Sequence, residues 1–246
     1  MKENNFKTKI GYLLNTSRIV KISEILLVFV LAFALMKILT PFAGDNQLMK
    51  FGIVWSTNIL MIGLVWLGIK LRGQKWSDFG LTFGRIRLKE SIRIFLLSLL
   101  VCILGLSGYM LGTLIMANIS GMPESADMSV YEYLHSNIFM LILTLVGVYI
   151  VSSFGEEVIY RAFLINRISE LGLDTKYGKV VTVVISAVIF GLVHYTWGPT
   201  GMVSTGFMGL AMGICYLKLK KKLWVLVLAH AYLDTFLLVQ VYLSSQ

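Results

Sequence analysis

The chain has 246 residues, of which 57% are hydrophobic and only 14% are charged. A water-soluble domain carries about 25% charged residues, so this composition excludes an ordinary soluble domain. The apolar residues form long continuous runs, unlike the short alternating segments of a transmembrane β-barrel. We therefore predict an all-α, polytopic transmembrane helical bundle whose surroundings are membrane lipid.

A membrane-spanning helix needs roughly 20 mostly apolar residues, and by this criterion the sequence predicts about seven spans. The first span is expected to be retained, because no small-residue signal-peptide cleavage site follows it. In chain order, the predicted spans are residues 23–42, 51–70, 93–116, a long helix from Asn137 past Arg161, and residues 180–197, 201–217 and 223–243.

The formal net charge of +9 would suit nucleic acid, but the placement of the charges argues against that partner. Basic residues lie in every second connector, as the positive-inside rule requires, and the third connector is acidic. We expect a cytoplasmic N-terminus and, with an odd span count, an external C-terminus. The residues concerned are Lys2, Lys7, Lys9, Arg18, Lys21, Arg72, Lys75, Arg85, Arg87, Lys89, Lys176, Lys179, Lys218, Lys220, Lys221 and Lys222, and the acidic Glu124, Asp127 and Glu132.

The connector at residues 72–90 mixes aromatic and basic residues, which suits an amphipathic element on the inner membrane surface. We divide the chain into residues 1–92, with the N-terminal segment, two spans and this connector, and a membrane-embedded core at residues 93–246. Cys102 and Cys215 lie inside apolar runs, so we expect buried small hydrophobic residues and neither a disulfide nor a metal pair.

Ionisable side chains inside spans are costly, so each one is a candidate for function. The fourth span carries Glu156, Glu157 and Arg161. Glu157 and Arg161 are four residues apart and share a helix face, which favours an ion pair that locks helices together. Glu156 points about 100° away from Glu157 and is left for other work.

Two later spans carry histidine: His194 lies in the fifth, and His230 lies four residues before Asp234 in the seventh. Each also has a structural interpretation, as a buried core histidine or as a helix–helix hydrogen bond. Counted at about 1.5 Å per residue, these side chains and Glu156 fall at similar depths in the hydrocarbon core. Independent structural residues would not need to agree in depth, so the agreement favours one site.

Together these residues resemble the three motifs of the CAAX protease and bacteriocin-processing family, also called the Abi family. The matching motifs are Glu156-Glu157-x-x-x-Arg161, Phe190-x-x-x-His194 and His230-x-x-x-Asp234, each on its own span. The resemblance covers residues 154–236, and residues 76–81 are similar to a loop often found ahead of that core. Asp234 departs from the Asn usual in eukaryotic-type members, which puts in doubt any role that needs an amide donor.

The resemblance implies an intramembrane endopeptidase of a bacterial cell membrane. Its substrate would be a membrane-associated hydrophobic peptide or protein, and its role peptide maturation or bacteriocin self-immunity. Glu156 would be the general base that activates water, and His194 would help to hold that water. His230 and residue 234 would stabilise the oxyanion, or an ionised Asp234 would instead orient His230.

The remaining motif residues have structural roles by the same resemblance. Glu157 and Arg161 would hold their helix in register, and Phe190 would support the histidine that follows it. Zinc stays open as a cofactor, because Glu156, His194 and His230 make a His₂Glu set with a position for water. The sequence lacks H-E-x-x-H, so the usual zincin helix is absent and a metal-free mechanism is equally open.

Two other function classes compete with proteolysis. A non-catalytic immunity or scaffold protein would have no physical use for buried carboxylates. An ion-coupled transporter would use a carboxylate–histidine relay, but transporters commonly show paired interruptions in two halves of the chain. The sequence shows no such pair, so this is the weakest of the three hypotheses.

Overall fold

The computed structural model describes residues 9–82, 84, 87–121 and 129–244. Throughout these ranges the regular structure is helical, with no strand, and six helices are long and apolar enough to cross a membrane. The predicted all-α membrane bundle is therefore confirmed. Several connector residues of the charge analysis lie outside the described residues, namely Lys2, Lys7, Arg85, Glu124 and Asp127.

The described part of the chain forms eight helices, joined by short connectors. They are α1 (Lys9–Thr16), α2 (Arg18–Ala43), α3 (Gln47–Leu71), α4 (Leu88–Ser120), α5 (Ile138–Ser169), α6 (Lys176–Leu192), α7 (Gly198–Lys218) and α8 (Leu223–Leu243). Short 3₁₀ turns lie between them at Trp76–Phe79, Ser129–Leu134 and Tyr195–Trp197.

Polar side chains begin four of the helices. Each accepts a hydrogen bond from a backbone N–H of the first turn, which otherwise has no partner within the helix. The four capping residues are Ser17, Asn46, Asn137 and Thr175. Glycines with positive φ follow α2 and α4, at Gly44 and Gly121, where a side chain would be strained.

By length and composition, six helices qualify as spans, where about seven were predicted. The predicted fifth span corresponds to α6, which is too short because it has 17 residues and ends at Leu192, before the predicted end at residue 197. At about 1.5 Å per residue, α6 is about 26 Å long, slightly less than the hydrocarbon core. It still packs antiparallel along α7, with Gly191 against the Met202 carbonyl and Gly213 against Val183. The orientation of the termini stays a prediction.

Small residues allow α4 and α7 to pack backbone against backbone. A Cβ atom on Gly112 would lie 2.7 Å from the Cα of Ser204, and one on Gly108 would lie 2.7 Å from the carbonyl oxygen of Phe207. The hydroxyls of Thr113 and Ser204 are 2.8 Å apart across the same interface. Close approach of this kind is a main source of helix association in lipid, where apolar burial contributes little.

One hydrophobic cluster joins the N-terminal helices to the C-terminal ones. It includes Val28 of α2 and Val65 of α3, together with Phe163 of α5 and Leu226 of α8. Cys215 is buried in this cluster, as predicted, whereas Cys102 packs against it half-buried.

The apolar side chains of the connector after α3 pack on the protein, and its place at the membrane surface stays a prediction. Phe79 and Leu81 are 3% and 1% exposed. The Tyr216 hydroxyl donates to the Phe79 carbonyl at 3.2 Å, and the Trp224 indole donates to the Thr82 carbonyl at 3.1 Å. The apolar side chains find protein contacts at the ends of α7 and α8, so they need no lipid surface.

Buried charges tie α2, α3 and α5 together at the end of the bundle where α3 stops. The side chains of Arg72 and Arg167 are fully buried. Arg72 pairs with Glu24 and lies 3.2 Å from Glu170, while Arg167 lies 2.6 Å from Glu170 and 3.6 Å from Glu24. Lys21 adds a further contact to Glu170 at 3.6 Å. Removing one member would leave the others buried without their partner.

We expect Arg72→Met to lower the free energy of unfolding by about 3–5 kcal/mol, because the buried carboxylate of Glu24 loses its nearest cation. Thermal unfolding of the purified protein in detergent measures the change. Lys179→Met is the control, since Lys179 pairs at 3.0 Å with Asp174 on the exposed surface, and it should cause no measurable loss. Equal effects of the two substitutions would contradict a structural role for the buried charges.

Candidate active site

The helix that carries the two adjacent glutamates changes its hydrogen-bonding pattern around them. In α5, the segments Tyr149–Phe154 and Glu157–Ile165 are π-helical, between α-helical segments at either end. Such π-helical turns are rare and occur often at functional sites. Gly147 and Gly155 lie on another face of the same helix, against Trp55 and Ile62 of α3.

Glu157 contacts an arginine and a histidine through one oxygen. Its Oε1 lies 3.0 Å from Nη1 of Arg161 and 2.9 Å from Nδ1 of His230. The three side chains are 0%, 1% and 5% exposed. The ion pair expected along α5 is therefore present, and the same carboxylate also joins α5 to α8.

The structure corrects the expected orienting partner of His230. A carboxylate accepts hydrogen bonds, so the ring donates its Nδ1–H to Glu157 and presents Nε2 on its other edge. Asp234 lies 3.8 Å from Nε2, too far for a direct hydrogen bond. Asp234 is one turn along the same helix and reaches only the Nε2 edge, whereas Nδ1 faces α5.

Ser153 is a member of this cluster that the sequence analysis missed. Its fully buried hydroxyl donates to Oδ2 of Asp234 at 2.7 Å. Ser153 and Glu157 are four residues apart on α5, and His230 and Asp234 are four apart on the antiparallel α8. The one signal in the sequence is the equal spacing of Ser153-x-x-x-Glu157 and His230-x-x-x-Asp234, which does not by itself say that the two helices are in contact.

Glu156 faces the free edge of His230. Its Oε2 is buried, makes no hydrogen bond with the described residues, and lies 3.9 Å from His230 Nε2. Glu156 and Asp234 are 15% and 18% exposed, so this part of the cluster is less enclosed than Glu157. Polar atoms about 4 Å apart are too far from each other for a direct hydrogen bond. A water oxygen to one side of the line that joins them can bond to both.

His194 lies in the turn after α6, whereas it was predicted to lie within a span. Its Nδ1 is 2.7 Å from the carbonyl oxygen of Phe190. Because a carbonyl only accepts, Nδ1 carries the hydrogen and Nε2 of the neutral ring has a free lone pair. The bond also satisfies a carbonyl of the last helical turn, which has no partner within α6.

The Phe190 ring lies between the two histidines and the arginine. Its centroid is 4.9 Å from that of His194 and 6.4 Å from that of His230, both edge-to-face. The guanidinium of Arg161 lies over the same ring at 4.5 Å. A cation over an aromatic face is stabilising, so Phe190 holds Arg161 while it separates the two imidazoles.

The possible ligands Glu156, His194 and His230 bear on whether the site holds a metal ion. Within the ranges that the structure describes, no group of three or more His, Cys, Asp or Glu residues is arranged to hold a metal. The hypothetical ligand set of Glu156, His194 and His230 is therefore not arranged as a metal site.

Tyr131 brings the connector before α5 close to the cluster, and no sequence motif marks it. Its ring stacks on Phe51 with centroids 5.7 Å apart. Burial, followed by the nearby groups of Tyr133, Asp234 and Glu156, raises the pKa of Tyr131 to about 12. The phenol is therefore neutral at physiological pH and is available only as a neutral hydrogen-bonding group.

We expect the two adjacent glutamates to differ in their effect on stability. Glu157→Gln leaves Arg161 buried without a carboxylate and should lower the free energy of unfolding by about 3–5 kcal/mol. Glu156→Gln removes a carboxylate that has no hydrogen-bond partner, so unfolding should change little. Thermal unfolding of both variants in the same detergent tests this, and a similar loss in both would show that the assignment is wrong.

Comparison with known proteins agrees with this geometry. Residues 138–236 match the family model described as type II CAAX prenyl endopeptidase Rce1-like. The matched region includes α5, α6, α7 and the part of α8 that carries His230 and Asp234. No curated protein and no solved structure matches the chain significantly. Residues 138–236 are therefore similar to the Rce1-like group of the CAAX protease and bacteriocin-processing family.

Proposed function

We propose that the protein is an intramembrane endopeptidase that hydrolyses a peptide bond of a hydrophobic, membrane-associated peptide or protein. The observation that carries the proposal is the buried, unpartnered Oε2 of Glu156 beside His230 Nε2. A carboxylate oxygen that makes no hydrogen bond with the described residues is available to take a proton from water. The match to an endopeptidase family supports the same reaction.

In this proposal, Glu156 acts as the general base. It takes one proton from a water molecule, and the hydroxide oxygen bonds to the carbon of the scissile carbonyl. When the tetrahedral intermediate collapses, the C–N bond breaks and Glu156 returns the proton to the leaving amine. His194 helps to hold the water, because its Nε2 has a free lone pair when Nδ1–H is bonded to Phe190.

His230 stabilises the negative charge that develops on the carbonyl oxygen. Its Nδ1–H is engaged by Glu157, so the ring donates from Nε2 when it is an imidazolium. Glu157 at 2.9 Å, Asp234 at 3.8 Å and Glu156 at 3.9 Å are the carboxyl groups around the ring, and the imidazolium form is part of the proposal. A preorganised donor in a site of low dielectric constant contributes strongly to transition-state stabilisation.

The physiological role and the orientation in the membrane belong to the same proposal. The physiological role is peptide maturation or bacteriocin self-immunity in a bacterial cell membrane, as the family resemblance implies. We place the N-terminus on the cytoplasmic side. The basic residues Lys21, Arg72 and Arg167 support this, because they meet at one end of the bundle, as the positive-inside rule expects of the cytoplasmic end.

Separate Glu156→Gln, His194→Ala and His230→Ala substitutions should each lower product formation at least about 100-fold. The measurement is mass spectrometry of membrane peptides from the host strain carrying each variant. Lys179→Met, at the exposed pair with Asp174, is the control and should retain the parental peptides. Retained turnover in any two of the three site variants would sink the assignment and favour a non-catalytic immunity or scaffold protein.

The donor arrangement also predicts a result for metal removal. Because Glu156, His194 and His230 are not arranged as a metal site, treatment of membranes with a chelator should leave product formation unchanged. Elemental analysis of the purified protein should find no stoichiometric zinc. Activity that is lost on chelation and restored by added zinc would show that the metal-free mechanism is wrong.

A further inference from the structure

Asp234 is held from the neighbouring helix by Ser153. The Ser153 hydroxyl donates to Oδ2 at 2.7 Å, and the other oxygen, Oδ1, lies 3.8 Å from His230 Nε2. Ser153 is fully buried and lies on the π-helical segment Tyr149–Phe154 of α5. The two oxygens of one carboxylate therefore have different tasks, one bonded to α5 and one facing the imidazole.

This contact and the bond between Glu157 and His230 form one geometric unit. A step of four residues along α5 leads from Ser153 to Glu157, and a step of four back along α8 leads from Asp234 to His230. Both contacts are short, at 2.7 and 2.9 Å. The same antiparallel interface thus fixes the Nδ1 edge of the imidazole through Glu157 and the group beside its Nε2 edge through Ser153.

The terminal torsion of an aspartate is broad, so packing alone does not fix the orientation of the carboxylate plane beside His230. A serine hydroxyl has one hydrogen to donate, and Ser153 donates it to Oδ2. Ser152 also lies within hydrogen-bonding reach of this carboxylate, and Oδ1 is the oxygen beside Nε2. An Asn at position 234, which is usual in eukaryotic-type members, would offer an N–H donor there. This chain presents a carboxylate oxygen instead.

We propose that Ser153 is a positioning residue of the hydrolytic site, acting through Asp234 to keep Oδ1 directed at the Nε2 edge of His230. The inference rests on the proposed function and adds a residue to it. Ser153 itself contacts neither water nor peptide in this scheme. Its effect on turnover must therefore disappear when Asp234 is removed.

A double-mutant cycle tests this dependence. The reporters are the host membrane peptides whose abundance falls in a Glu156→Gln strain. Ser153→Ala should lower their formation about tenfold, the usual effect of one hydrogen bond to a charged group. In an Asp234→Ala background, Ser153→Ala should cause no further loss, because its partner is already gone.

Ser186→Ala is the matched control. Ser186 is also buried, at 3% exposure, and its hydroxyl donates at 2.8 Å to the backbone carbonyl of Tyr160, not to a side chain of the site. Immunoblots and thermal unfolding check that both serine variants fold and accumulate equally. Ser153→Ala should also displace the pH profile of product formation in isolated membranes, whereas Ser186→Ala should retain the parental profile.

Two results would overturn the inference while the proposed function stands. In one, Ser153→Ala behaves like Ser186→Ala in rate and pH profile. In the other, it lowers product formation by the same factor with and without Asp234. If the Glu156→Gln strain loses no peptide at all, the proposed function fails, and the inference about Ser153 fails with it.

Discussion

The carboxylate of Glu157 is the group on which the arrangement of the site depends. One oxygen lies 3.0 Å from Arg161 within α5 and 2.9 Å from His230 on α8. The same atom therefore balances a buried cation and orients the imidazole. Because a carboxylate accepts and does not donate hydrogen bonds, it also decides which ring nitrogen carries hydrogen and which one faces Glu156.

Burial gives these contacts their importance, since an unpaired charge costs far more in a low-dielectric interior than in water. The bundle holds a second buried charged group, where Arg72 and Arg167 meet Glu24 and Glu170. That group joins α2 and α3 to the end of α5. The helix that carries the glutamates is thus fixed through ion pairs at two levels, and the N-terminal helices are part of its support.

The candidate site residues could be identified from the sequence, because ionisable side chains are rare in apolar helices. The residues that contact them could not be identified in this way. Ser153 and Tyr131 are ordinary residue types with no motif around them, and each becomes notable only through what it faces. The expected partner of His230 was the residue one turn along its own helix, Asp234, whereas the ring donates its hydrogen bond to Glu157 on another helix.

By itself, the sequence determined the helical membrane class and the group Glu156, His194, His230 and Asp234, because long apolar runs and charges within them are local properties of the chain. Only the tertiary structure decided how these groups are held. The contacts from Glu157 to His230 and from Ser153 to Asp234 join residues 73 and 81 positions apart. No local pattern records which face of one helix packs on another, so those contacts follow from the antiparallel packing of α5 on α8.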